Sequence, residues 1–97
     1  INAAFIYVAP GEPTEQKAVI PSDTLTLHVV GCSTYDQAET AAKELVANGC
    51  GAIELCAGFG NEGIAGQEAV GPEIPVGAVK FDYHPAFGFK SGDELFQ

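Results

Sequence analysis

The chain has 97 residues, of which 46% are apolar, enough to fill the single core that a domain of this length supports. Asp and Glu number 13 against 4 Lys and Arg, a formal net charge of −9. Four basic residues cannot make the phosphate footprint that nucleic acid requires, and the same imbalance repels an anionic membrane surface. No apolar run reaches the roughly 18 residues of a membrane span.

The opening INAAFIYVAP lacks a basic n-region and reads as a strand over residues 3–9, ended by Pro10-Gly11, rather than as a signal peptide. Residues 11–23, GEPTEQKAVIPSD, carry two prolines and four charges and read as loop, with room for one helical turn around 15–18. LTLHVVG, residues 25–31, is the second predicted strand. Ser33 to Asn48 reads as a helix: Ser33 and Asp36 resemble a capping box. Tyr35, Ala38, Ala42, Leu45 and Val46 recur on one face, and Gly49 supplies the left-handed stop. AIELCA (52–57) is a third strand, residues 61–69 a short helix weakened by Gly63 and Gly66, and VGAVKF (76–81) a fourth strand. The tail, 83–97, is aromatic and carries a second capping-box signature from Ser91 to Glu94.

Nearly all-apolar strands separated by helices predict a single α/β domain over 1–97. Its expected form is a small three-layer sandwich around a mostly parallel sheet of about four strands, with right-handed crossovers. A ferredoxin-like α+β sandwich is the alternative if 11–23 is helical. Ligands of open α/β sheets bind beyond the carboxyl ends of the strands. Here those ends are Pro10-Gly11, Gly31-Cys32-Ser33, Cys56 to Gly60, and Asp82-Tyr83-His84.

GFGNEG, Gly58 to Gly63, matches G-x-G-x-x-G literally, with Asp82 at about the distance a ribose-binding acid would take. It follows the third strand instead of the first, however, and Glu62 would bring negative charge to a pyrophosphate. The chain also lacks room for two mononucleotide halves. The motif therefore reads as a tight strand-to-helix turn, able to hold a small anion with Ser33, Gly58, Phe59, Gly60 and Asn61.

Cys32 precedes a helix N-terminus, where thiolate is favoured, and Cys56 ends another strand. With His84 near the same rim, these residues allow a nucleophile pair or a metal site on paper. Their spacing specifies neither, and small buried cysteines are ordinary core residues. His28, among apolar neighbours, reads as a hydrogen-bonded core or edge histidine. Glu54 stands out in an apolar strand, as a general acid or base or as an edge residue paired with Lys80. Asp82 with His84 is a further general-base candidate, although Asp also simply ends strands.

Together AAFIYVAPG, VVGCSTYDQA, IELCAGFG, PVGAVKFD and SGDELF resemble a family of small bacterial proteins of unknown function, DUF6506. The resemblance implies a stand-alone prokaryotic cytosolic protein. It implies no activity, cofactor or catalytic residue. The three cysteines have no paired framework, which suits a reducing cytoplasm. The expected role is a small-molecule module binding an anionic ligand at the rim, without metal or cofactor. The alternatives are a small enzyme using Cys32, Cys56, Glu54 or Asp82 with His84, and an oligomeric structural protein. The small core and aromatic tail favour a homodimer or higher homo-oligomer.

Overall fold

The computed structural model describes residues 1–11, 16–79, 81 and 83–97. In chain order its elements are β1 (Asn2–Val8), β2 (Gln16–Ile20), β3 (Thr26–Cys32), α1 (Tyr35–Ala47), β4 (Ala52–Leu55), α2 (Asn61–Gln67), β5 (Val76–Ala78) and α3 (Gly92–Leu95). A 3₁₀ turn over Glu68–Val70 extends α2, and another over Pro85–Phe87 precedes α3. Among the described residues no helix is long and apolar enough to cross a membrane.

The strands form one sheet in the order β2-β3-β1-β4-β5. β1 lies at its centre, parallel to both β3 and β4, and β5 runs parallel to β4. β2 pairs antiparallel with β3, so the sheet is mixed and has five strands, where a mostly parallel sheet of about four was expected. The difference arises in the segment read as loop. Gln16–Ile20 is a strand and not a helical turn, and Leu25 N–H returns the chain through a hydrogen bond to Ser22 Oγ at 3.0 Å. Its β-branched Val19 and Ile20 suit an extended backbone. A segment that is strand also removes the condition on which the ferredoxin-like alternative rested.

That one substitution of strand for helix sets the layering. Crossovers β3-α1-β4 and β4-α2-β5 proceed in the same direction across the sheet, so right-handed connections put both helices on one face. The described residues between β1 and β3 contribute the hairpin strand β2 and no helix. The described elements therefore form two layers, where three were expected, and the shortest Cα extent is 20 Å. Alternate strand residues Ala4, Ile6, Val8, Val30, Cys32, Ile53 and Leu55 pack under Ala38, Ala41 and Ala42 of α1 and against Phe59 and Phe96. Three alanines in a row along the helix face bring its backbone close to the sheet.

α1 begins one residue later than the sequence suggested. Thr34 is the N-cap, its Oγ1 accepting from Gln37 N–H at 3.1 Å, while Ser33 N–H and Oγ both donate to Gln37 Oε1. The helix stops at Asn48, and Gly49 takes φ +98°, as its position required. The Ser91–Glu94 capping box is complete: Ser91 Oγ accepts from Asp93 N–H at 3.2 Å and Ser91 N–H donates to Glu94 Oε2 at 3.1 Å.

Ile6 is fully buried on the central strand, whereas Val19 on the β2 edge is 54% exposed. Ile6→Ala is expected to cost about 2–5 kcal/mol and Val19→Ala less than about 0.5 kcal/mol. Urea denaturation of both variants tests this assignment of centre and edge.

Candidate functional site

The carboxyl ends of β1, β3 and β4 do share one rim, and the tail closes it. α3 lies against the glycine turn, and Asp93 points its carboxylate at the start of α2. Asp93 Oδ2 accepts from Glu62 N–H at 3.0 Å, and Oδ1 accepts from Gly63 N–H at 3.1 Å and from Tyr35 Oη at 2.7 Å. Tyr35 Oη in turn accepts from Gly60 N–H at 3.0 Å. These are the free amides that a helix start offers to an anion, and a carboxylate of the chain itself occupies them.

The glycines of GFGNEG follow from this packing. A Cβ on Gly60 would fall inside the Asp93 carboxylate and one on Gly63 inside the Tyr35 ring. Across the contact, a Cβ on Gly92 would overlap the Gly58 carbonyl oxygen. Phe59, fully buried, stacks on Tyr35 with centroids 5.5 Å apart and planes 10° from parallel. Phe96, 2% exposed, sits beside the same ring, and its carbonyl accepts from Tyr35 N–H at 3.0 Å. The turn is shaped by close approach of the tail, a reason for glycine other than pyrophosphate binding.

Burial, and then the adjacent Asp93 carboxylate, push the Tyr35 phenol above its ordinary value of 10.0. The neutral phenol is the form that donates to Asp93. Gln67, 1% exposed at the end of α2, donates from Nε2 to the Tyr35 carbonyl at 3.3 Å, and its Oε1 has no hydrogen-bond partner among the described residues.

Of the expected rim ligands, Gly58, Phe59 and Gly60 are buried beneath the tail, Ser33 is engaged with Gln37, and only Asn61 is exposed. Cys32 is fully buried in the core at the end of β3. Cys56 is partly exposed, and its Sγ accepts from Gly58 N–H at 3.2 Å within the turn. His84 organises its own loop. Its Nδ1 accepts from Ala86 N–H at 3.1 Å, its backbone N–H donates to the Lys90 carbonyl at 3.0 Å, and its ring contacts Phe81 and Phe87 at centroid distances of 4.7 and 4.2 Å. Glu54 is exposed on the sheet face away from the helices, beside Phe5 and Gly77. Asp82, and the suggested Glu54 partner Lys80, lie outside the described residues. His28 accords with the structural reading, its Nε2 lying 3.0 Å from Asn2 Oδ1. Among the described residues no three His, Cys, Asp or Glu side chains converge on a point able to hold a metal ion.

Sequence reasoning missed Tyr35 and Asp93. Tyr35 was read as one residue of an apolar helix face, and Asp93 as the interior of a capping box. The available signal was the coincidence of a glycine turn lacking a basic residue with an acidic helix start in the tail.

Asp93→Ala should destabilise the fold by about 2–4 kcal/mol, since it strands two amides and a phenol. Because the folded-state pKa of Tyr35 is raised, its contribution is complete below pH 10 and is lost as pH rises further, where the unfolded phenol ionises first. Urea midpoints of the wild type should therefore fall above about pH 10. Tyr35→Phe should flatten this alkaline limb at the cost of lower stability at neutral pH.

Neither a curated protein nor a solved structure shows a significant match to the chain. A family model does, over residues 1–94, and it is described as a family of unknown function, DUF6506. With nearly the whole chain covered, the protein belongs to that family.

Proposed function

We propose that the chain is a self-assembling module, in which two copies pack the helix-free faces of their sheets together as a homodimer. Register and burial define that face. Ala3, Phe5 and Tyr7 of β1 lie beside Leu27, Val29 and Gly31 of β3, out of phase with the residues that enter the core. Ala18 and Ile20 extend the face over β2, and Ala52, Glu54 and Gly77 over β4 and β5. The hydroxyl end of the Tyr7 ring lies at Gly31, where a Cβ would collide with it.

The uncovered apolar face carries this reading. Parallel strands are normally covered on both sides, and these strands are apolar at both phases although helices cover only one. Charge points the same way. The formal net charge of −9 makes two copies repel over most approaches, yet on this face the described strand residues include a single carboxylate, Glu54. With strands about 4.8 Å apart and rising about 3.3 Å per residue, the face is on the order of 400 Å² in projection. Side-chain relief raises the accessible area towards the roughly 800 Å² per partner of a standard interface.

A free anion at the glycine turn would compete with Asp93, and assembly is preferred over rim binding for that reason. The odd count of three cysteines, with no paired framework in the sequence, supports residence in a reducing compartment such as the cytoplasm. No catalytic step belongs to this proposal.

Sedimentation equilibrium should give twice the chain mass at micromolar concentration. Phe5→Glu combined with Val29→Glu should give the chain mass with an unchanged circular dichroism spectrum. Ile20→Lys, at a position 59% exposed, should weaken the dimer without threatening the core. A wild-type protein that remains monomeric at high micromolar concentration refutes the proposal.

A further inference from the structure

α1 packs chiefly over β1 and β3, further in than the edge strand β2. Between that strand and the C-terminal half of α1 lies a cleft of about 310 Å³. Val19 and Val30 line it from the sheet, Leu45 from the helix, and the buried Cys50 beyond the helix end. The volume is at the lower end of small-molecule sites, roughly 300–1,000 Å³, and too small for a docked helix or strand.

The charges at its edge select among ligands. Glu44 borders the cleft from α1, and that helix has no basic residue in its last turn to balance the partial negative charge of its carboxyl end. Lys17 borders it from β2 and already has an interaction of its own. The net charge of −9 raises the local concentration of cations over anions. We infer that this cleft binds a small apolar amine, its hydrocarbon body between Leu45, Val19 and Val30 and its ammonium at Glu44. The site lies on the helix side of the sheet, so sheet-face assembly leaves it accessible and neither proposal depends on the other.

The test is a titration of ¹⁵N-labelled protein with 2-phenylethylamine and, separately, 3-phenylpropionate, which share an apolar body and differ in charge. At roughly 10 mM, where a ligand of this size and ordinary efficiency half-fills its site, the amine should shift amides within 17–19, 28–30 and 44–50 in a saturable manner. The carboxylate should bind several-fold more weakly. Glu44→Gln should reduce amine affinity roughly 3- to 10-fold, and Leu45→Trp should abolish binding by filling the cleft. Val19→Trp, on the exposed edge strand, serves the same purpose if Leu45→Trp does not fold. Equal binding of the carboxylate, shifts confined to other regions, no saturable shifts, or binding unaffected by a folded Trp variant each overturn the proposal.

Discussion

The contact between Asp93 and the glycine turn joins the last residues of the chain to its middle, and the rim of the sheet depends on it. One carboxylate satisfies two amides at the start of α2 and fixes the Tyr35 hydroxyl, which satisfies a third amide at Gly60. Buried backbone donors left unpaired are costly, and at this turn Asp93 and Tyr35 supply the acceptors. The short helix α2, with two glycines in its seven residues, is poor on propensity alone. Packing and the Asp93 bonds hold it in place. The same contact seats Phe96 in the core and thereby closes the end of the hydrophobic layer.

A second constraint is topological. Having a hairpin strand where a crossover helix was expected keeps β1 beside β3 but leaves one face of the sheet without a covering layer among the described residues. The chain has not compensated by making that face polar. Phe5, Tyr7, Leu27 and Val29 are half-buried against one another, and Ile20 is largely exposed. Water contact with such a surface is unfavourable in proportion to its apolar area, and that is the cost the proposed dimer would relieve.

Much of the fold was legible in the sequence because local rules governed it. The period of Tyr35, Ala38, Ala42, Leu45 and Val46 identified α1, Gly49 marked its end, and Ser91 with Glu94 announced α3. The segment 16–20 was not legible: flanking prolines and charges signalled loop, and only pairing with β3 makes it a strand. Apolar residues at both phases of β1 were read as evidence for helices on both sides. The physics of that reading is sound, but sequence does not distinguish a face covered by the chain's own helix from one awaiting another cover. The group that meets the glycine turn was not legible for a related reason. A glycine-rich turn announces that something approaches closely, and the approaching group came from residues about thirty positions away in the chain.

Asp93 also changes what the glycine turn is. Residues 91–97 reach the body through a capped helical turn, a buried phenylalanine and one carboxylate, the same kinds of contact by which a short peptide is recognised in a groove. The tail is in effect a tethered ligand, held at the high effective concentration that a short linker provides. A chain severed within the 84–90 turn would keep the receptor for that segment but lose the effective concentration, and the tail would then stay only as tightly as its own contacts hold it.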